Sequence, residues 1–80
     1  MIYANKFKQI KMDCGNIFRV GDIFLSLHNQ YIYKINEIDE TYVYYCRIRN
    51  NQYYGGGYKN LIKEFKQYSL EKYEISKQTV

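Results

Sequence analysis

The chain has 80 residues, 46% of them hydrophobic, and a formal net charge of +4 at pH 7. A chain of this length has room for one hydrophobic core, so we expect a single domain over residues 1–80 that buries only about 60–65% of its unfolded surface. Residues 1–11 carry three lysines and no unbroken apolar run, which argues against a signal peptide or membrane span and predicts a cytoplasmic protein without a membrane partner.

Two interpretations compete for residues 2–12. Hydrophobic residues spaced from Tyr3 onward share one face of a helix that Gly15 would cap, whereas from Lys8 onward polar and apolar residues alternate as in a strand. We favour the helix. In either case residues 13–16, with the sequence DCGN, are predicted to form a turn.

The next predicted element is a half-buried strand over residues 23–27. Its alternation sets Ile23, Leu25 and Leu27 against Phe24, Ser26 and His28. A polar turn then leads into the following strand, so the sequence predicts an antiparallel meander of at least three strands.

Residues 31–49, YIYKINEIDETYVYYCRIR, predict a β-hairpin against which the rest of the chain packs. Tyrosine, isoleucine, valine and threonine crowd both halves, and Asp39 with Glu40 interrupts them at the middle. A two-residue turn, or a four-residue loop that sets Glu37 opposite Tyr42, gives one arrangement of faces, whereas a three-residue loop would invert it.

The favoured register divides the hairpin into a core face and an outer face. The predicted core face carries Tyr31, Tyr33, Ile35, Tyr42, Tyr44, Cys46 and Ile48. The predicted outer face carries Ile32, Lys34, Asn36, Val43, Tyr45, Arg47 and Arg49. The second face is the one that water or a partner would meet.

A Gly-Asp step that opens a strand, a polar turn and then a hydrophobic hairpin make residues 18–48 resemble the entry of SH3-like small barrels, including those of the KOW and Tudor type. The resemblance implies a partly open barrel closed by a fifth strand, for which Tyr73 and Ile75 alternate suitably. Such barrels bind peptides, nucleic acids and small ligands alike, so the resemblance implies a binding module without naming its ligand.

The end of the chain is predicted to be helical. Residues 50–59, NNQYYGGGYK, have no core pattern and are predicted to be a loop, and from Lys59 the spacing of apolar residues such as Phe65 predicts an amphipathic helix across the core face of the sheet. Beyond it, either Ser69 caps a second short helix or residues 72–76 form an edge strand. The predicted class is α+β: a small antiparallel sheet or partly open SH3-like barrel of roughly three to five strands with a C-terminal amphipathic helix.

Three glycines, Gly55, Gly56 and Gly57, stand directly before that predicted helix. Unhindered N–H groups at a helix N-terminus attract anions, so the glycines and Lys59 form a candidate phosphate or nucleotide site. The tyrosines that would stack on a base or ring are Tyr53, Tyr54 and Tyr58. The Gly-Lys-Ser/Thr ending of a P-loop is absent, and a flexible connection is the commoner origin of such a run.

The outer face of the hairpin is the strongest candidate for a partner site. Its polar and aromatic members are Lys34, Tyr45, Arg47 and Arg49. Cations beside a ring are typical of single-strand binding surfaces, and arginine and tyrosine also anchor protein interfaces that meet an acidic patch. The alternative is a solvated sheet face, although the two apolar side chains among the cations argue against it.

Catalytic and metal-binding constellations are missing from the sequence. His28 is the only histidine, and the two cysteines, Cys14 and Cys46, lie far from it and from each other. We therefore expect no enzyme activity, no metal and no cofactor. In the expected compartment both cysteines stay reduced.

A compact chain rich in Tyr, Lys, Asn and Ile that lacks enzyme motifs resembles the small accessory proteins of bacteriophages and mobile elements. That resemblance implies a non-enzymatic inhibitor that binds a host protein, including factors of anti-phage defence, in the host cytoplasm. A single-stranded nucleic-acid-binding protein is the alternative, and sequestration of a small nucleotide is the second alternative. Exposed tyrosine on a small sheet also fits a homodimer.

Overall fold

Antiparallel β-strands make up most of the fold in this computed structural model, which describes residues 7–50 and 52–73. The described strands are β1 (Gln9–Lys11), β2 (Ile17–Arg19), β3 (Ile23–Ser26), β4 (Ile32–Ile38), β5 (Tyr42–Arg49), β6 (Gln52–Leu61) and β7 (Leu70–Lys72), and the described helix is α1 (Ile62–Phe65). Strands β6, β5, β4, β3 and β7 form one sheet in that order, and β1 pairs with β2 in a separate hairpin. Within those ranges no helix has both the length and the hydrophobicity that a membrane crossing requires.

The core is a hydrophobic cluster to which both sheets and α1 contribute. Its buried members are Ile10, Met12, Phe18, Phe24, Tyr33, Ile35, Ile38, Val43, Phe65 and Leu70. Aromatic rings dominate its centre, where the ring of Phe24 lies 5.4 Å from that of Tyr33 and 5.7 Å from that of Phe65. Rings of this kind bury large areas and favour edge and offset contacts, which stabilise a small core.

Strand β3 turns the face of Phe24 and Ser26, and not that of Ile23 and Leu25, toward this core. Phe24 and Ser26 are buried, whereas Ile23 and Leu25 are only half-buried and Leu27 is exposed. Alternation correctly predicts a half-buried strand, but the choice of inner face depends on the large ring of Phe24, which the core takes in preference to smaller side chains.

The predicted α+β class with a C-terminal amphipathic helix is wrong. Among the described residues only the single turn of α1 is helical, and it is enough to place the side chain of Phe65 in the core with no solvent exposure. Residues 59–61 belong to the end of β6, and the chain after α1 returns to the sheet as β7, opposite β3. A one-turn helix is costly to nucleate, whereas strand residues here gain hydrogen bonds from an existing sheet edge.

The predicted loop over residues 53–58 is also wrong, since these residues lie within β6 and pair with β5. The pairing shifts by one residue on either side of Gly55, which leaves two irregularities in the ladder. Gly55 and Gly56 both have positive φ, at 156° and 80°. The glycines therefore let a strand bend and bulge, which is a use that composition alone does not separate from a loop.

At the other end of the chain, the predicted helix over residues 2–12 does not form in its described part. Residues 9–11 form β1, with Ile10 opposite Phe18 in β2, while residues 1–6 lie outside the described residues. The turn predicted over residues 13–16 is confirmed, because the N–H of Met12 donates to the carbonyl of Asn16 at 2.7 Å.

The central hairpin is present, but its register differs from the predicted one. Ile38 lies opposite Val43 across a four-residue loop, and a shift at the level of Asn36 then sets Ile35 opposite Tyr45. Because opposite residues share a face, Val43 lies beside the buried Ile38, and the bulge brings Ile35 to the face of Tyr45. The core residues predicted in this hairpin are buried at Tyr33, Ile35, Cys46 and Ile48. The outward orientation predicted for Val43 and Tyr45 is wrong, since Val43 is in the core cluster and Tyr45 packs against it.

Asp39 closes the loop of this hairpin. One carboxylate oxygen accepts the backbone N–H groups of Thr41 at 2.8 Å and Tyr42 at 2.7 Å, and the other accepts the hydroxyl of Tyr44 at 2.8 Å. The N–H groups of Tyr42 and then Thr41, followed by the Tyr44 hydroxyl, hold the pKa of Asp39 below its usual 3.8. The carboxylate thus replaces the Asn-Gly turn signature that the hairpin lacks.

We expect the Asp39→Asn variant to melt at a lower temperature than the wild type at neutral pH, because an amide offers one acceptor oxygen to three donors. A lowered native pKa stabilises the fold above the unfolded pKa of 3.8, and this stabilisation is lost as the pH falls through the native pKa. Melting curves should therefore show the difference between the two proteins narrowing in acid. A difference that stays constant down to pH 2 would contradict this role of Asp39.

Candidate functional site

The structure divides the predicted outer face of the hairpin. Lys34 lies opposite Cys46, and Arg47 lies opposite Tyr33, so Lys34 and Arg47 project from different faces of the sheet. Tyr45 packs against the core, and its hydroxyl donates to the side-chain oxygen of Asn60. The prediction that these residues form one site is therefore wrong for Lys34 and Tyr45, and the reason is the bulge in β4.

Arg47 and Arg49 stay together, in a cluster that we call the arginine–tyrosine surface: Tyr31, Arg47, Arg49 and Tyr54. The guanidinium carbon of Arg47 lies 3.4 Å from the ring centroid of Tyr31 and 4.8 Å from that of Tyr54. The guanidinium carbon of Arg49 lies 4.9 Å from the centroid of Tyr54. The two cations share the ring of Tyr54, and residues of β5, of β6 and of the turn before β4 hold them together.

No described residue neutralises the charge of this surface. Among the described residues no carboxylate forms an ion pair with Arg47 or Arg49, and no hydrogen bond engages either guanidinium. Each cation–ring contact contributes about 0.5–1 kcal/mol at an exposed position. The rings thus fix the arginines in place while their N–H groups stay available to an anion.

Tyr31 is the member of the surface that sequence reasoning missed, since it was assigned to the core face. It lies just before β4 and is 43% exposed. The signal that would have found it is the pairing of Tyr33 with Arg47, because a residue two positions before Tyr33 then lies diagonally beside the arginine.

The three predicted tyrosines of β6 fall into two groups. Tyr53 precedes Tyr54 in the chain and is 71% exposed. Its hydroxyl donates a hydrogen bond to the carbonyl of Gly56 at 3.3 Å. Tyr58 instead folds onto the core aromatics, with its ring 5.6 Å from that of Tyr45 and 5.8 Å from that of Tyr33. Only Tyr54 therefore combines with the arginines.

The predicted anion site at Gly55, Gly56, Gly57 and Lys59 loses its physical basis. No helix begins directly after the glycines; α1 starts at Ile62 and has only four residues. The ammonium of Lys59 lies 4.4 Å from the ring centroid of Tyr42, on the other side of the bulge. Glycine is instead required by the packing of the strand, because a β-carbon at Gly56 would overlap the ring of Tyr58.

Gly56→Ala should destabilise the protein by about 1–3 kcal/mol, because alanine at a positive φ is strained and its methyl group displaces Tyr58. Gly57→Ala is the matched control: a β-carbon there meets no atom within 4 Å and its φ lies outside the positive region that strains alanine. Urea denaturation of both variants measures the difference. Equal stability of the two variants would contradict the close approach of Gly56 to Tyr58.

The single histidine and the two cysteines are separated in space. His28 lies exposed in the turn between β3 and β4, Cys14 lies exposed between β1 and β2, and Cys46 is buried with its Sγ 3.7 Å from Asn36 Oδ1. Over residues 7–50 and 52–73, no group of three or more His, Cys, Asp or Glu side chains is arranged to hold a metal ion.

No model of a known protein family, no curated protein and no solved structure matches this chain. The resemblance to SH3-like barrels therefore stays a prediction, and the geometry of the site itself is the basis for any functional proposal.

Proposed function

We propose that this protein is a non-enzymatic binding module whose arginine–tyrosine surface docks on an acidic patch of a partner protein. The observation that carries the proposal is the position of Arg47, whose guanidinium is stacked 3.4 Å from the ring of Tyr31 and faces no carboxylate among the described residues. A positioned but unneutralised arginine is suited to a carboxylate of another molecule.

The energetics of interfaces support this choice. A guanidinium binds a carboxylate through two parallel N–H donors, which needs a defined orientation of its plane. The Arg47 guanidinium contacts the rings of both Tyr31 and Tyr54, which orient it before the partner binds. Less side-chain entropy is therefore lost on binding. Arginine and tyrosine are also among the residues that contribute most to protein interfaces.

Single-stranded nucleic acid is the second candidate partner, because Tyr54 exposes its ring beside the two arginines and bases stack on such rings. A protein partner is favoured by the number of cations. Each phosphate contact adds affinity through counterion release, and this surface offers two cations now that Lys34 lies on the opposite face.

The narrower proposal concerns the kind of partner. The resemblance of this compact chain to small bacteriophage and mobile-element proteins supports a host protein as the partner, with inhibition of a host factor, including one of anti-phage defence, as the outcome. On this proposal the protein acts in the host cytoplasm and needs no cofactor. Sequestration of a nucleotide at the glycines is not proposed, because those glycines lie within β6.

The test is affinity capture from a lysate of the cells in which the protein is made, with three baits. One is the wild type, one is the Arg47→Glu, Arg49→Glu variant, and the third is the Arg19→Glu, Lys34→Glu variant, whose altered residues are exposed and lie off the arginine–tyrosine surface. Both variants reverse two positive charges, which takes the formal net charge from +4 to 0. They are therefore matched in total charge.

We expect a protein that the wild type and the third bait both retain and the Arg47, Arg49 variant loses. If all three baits retained the same protein, the arginine–tyrosine surface would not be its binding site. Loss from both variants alike would show attraction by net charge alone and would also count against the proposal. A labelled single-stranded oligonucleotide that binds the wild type and dissociates with added salt, with no protein retained, would favour the second candidate.

A further inference from the structure

A second concave site lies away from the arginine–tyrosine surface. It is a cleft of about 770 Å³ between the β3–β4 turn and the connection from α1 to β7. This volume lies within the range of roughly 300–1,000 Å³ that small-molecule sites occupy. None of the four residues of the arginine–tyrosine surface lines it, so the two sites can be tested separately.

The walls of the cleft are aromatic. Phe24, Tyr33, Tyr45, Phe65 and Tyr68 contribute to its lining. The rings of Tyr33 and Tyr45 stand 5.3 Å apart at 89° to each other, and the ring of Tyr45 lies 5.6 Å from that of Phe65. Phe24, Tyr33 and Phe65 are at most 9% exposed, so the rings that a planar ligand can reach are those of Tyr45, which is half-buried, and Tyr68, which is 40% exposed. A planar ligand makes favourable contacts with the face or the edge of such rings.

Ser26 gives the cleft a hydroxyl group that no protein group engages. The residue as a whole is 9% exposed. Two positions after Phe24 in β3, it shares the inward face with that ring and lines the cleft. Its backbone is hydrogen-bonded, but its hydroxyl has no hydrogen-bond partner within the described residues. No fully buried side-chain oxygen among those residues lacks a partner, so this hydroxyl is open to solvent in the cleft, where a ligand can replace the water on it.

Two amide side chains complete the polar set. Asn29 donates to the hydroxyl of Tyr33 at 3.1 Å and accepts the N–H of Tyr31 at 2.9 Å, which fixes its orientation at the edge of the cleft. Gln67 also lines the cleft, and its side-chain amide makes no hydrogen bond with any described residue. Side-chain amides pair well with the donor and acceptor edges of heterocycles.

The cleft carries no formal charge. No lysine, arginine, aspartate or glutamate is among the described residues that line it. Burial raises the pKa of Tyr45 to about 12, which keeps that phenol neutral. A ligand with a phosphate or carboxylate at this position would meet no countercharge, so a neutral ligand fits best.

We propose that this cleft binds an uncharged planar heterocycle with hydrogen-bonding groups on its edge, of the size of a nucleoside, which contacts the rings of Tyr45 and Tyr68 and pairs with Ser26 and Gln67. The inference rests on the cleft alone and does not depend on the proposed function. Loss of one site would leave the other intact.

The experiment titrates the full chain with adenosine, guanosine, cytidine and uridine and follows both the melting temperature and the amide NMR spectrum. The proposal predicts that at least one nucleoside raises the melting temperature by about 6–11 °C when its concentration is about ten times the dissociation constant. The amide signals of Ser26, Asn29 and Gln67 should shift in the same titration. The 5′-monophosphate of the same nucleoside should bind no more tightly.

The matched variants are Ser26→Ala, which removes the hydroxyl in the cleft, and Thr41→Ala, which removes a hydroxyl outside the cleft, in the loop between β4 and β5. We expect Ser26→Ala to weaken binding about fivefold to tenfold and Thr41→Ala to leave it unchanged. Because the wild-type NMR titration reports on Ser26 directly, the test does not depend on the variant folding normally.

Several results would overturn the inference. They are no response to any of the four nucleosides, equal binding by Ser26→Ala and wild type, and binding of the monophosphate at least tenfold tighter than that of the nucleoside. N-acetyltryptophanamide serves as the last probe. If it shifts the same amides while no nucleoside does, the cleft accepts an aromatic side chain of another protein and the ligand class proposed here is rejected.

Discussion

Replacing Phe24 by alanine should remove about 3–5 kcal/mol from the free energy of unfolding. The side chain is 1% exposed, and its ring contacts those of Phe18, Tyr33, Tyr45 and Phe65 at centroid distances of 5.4–5.9 Å. The cavity therefore opens where the aromatic contacts of the core converge. Surrounding rings anchored on several strands cannot collapse into it without disturbing the sheet.

A loss of this size is large for a chain of 80 residues, whose total stability is expected to be about 4–12 kcal/mol. Phe7→Ala is the control, since it deletes the same ring from a position that is 46% exposed. Urea denaturation followed by far-UV circular dichroism compares the two variants. If both lost the same stability, the core would not be centred on Phe24.

The largest expected effect on binding comes from Arg47. Its guanidinium is held by two rings and its side chain is half-buried, whereas Arg49 is exposed and contacts one ring. Positioned, partly desolvated anchors contribute most to interfaces. We therefore expect Arg47→Ala to weaken the complex with the captured partner by about 2–4 kcal/mol, which is roughly 30-fold to 1,000-fold.

Arg49→Ala should cost less than about 1 kcal/mol, because an exposed ion pair at the rim of an interface is well screened. Isothermal titration calorimetry of the two variants measures which one loses more binding free energy. Lys34→Ala is the control, because Lys34 lies on the opposite face of the sheet. Equal losses from Arg47→Ala and Lys34→Ala would mean that stacking on Tyr31 and Tyr54 does not matter for binding.

Local chemistry made part of this fold predictable. The turn over residues 13–16 and the hairpin interrupted at Asp39 both follow from residues that act on their own backbone. The strand over residues 23–26 follows from alternation within the chain. In each case the deciding interactions lie within a few residues of one another, so the sequence contains them.

The register and the faces were not predictable in the same way. A single bulge at Asn36 places the residues of the predicted outer face on two sides of the sheet. The sequence around Asn36 contains no signal that predicts this bulge. The glycines of β6 have the composition of a loop, and only the presence of β5 beside them makes a strand. Likewise, Phe65 fits a long amphipathic helix or a single turn equally well, and the return of β7 to the sheet decides between them.

The candidate site shows the same limit. Arg47 and Arg49 follow from the pattern of the hairpin, since two cations in alternation share a face. Tyr31 could be placed beside the arginines only once the register was known. The register also shows that Lys34 and Tyr45 do not belong to this site.

The central claim is that the arginine–tyrosine surface makes the contact with a partner, and NMR of the isotope-labelled protein with the captured partner tests it most directly. The account predicts that the amides of Tyr31 and residues 47–54 and the side-chain Nε–H signals of Arg47 and Arg49 shift on addition of the partner. It also predicts that the amide of Lys34 does not. Shifts that cluster on Lys34 and Cys46, on the opposite face of the sheet, with the arginine signals unchanged, would contradict it.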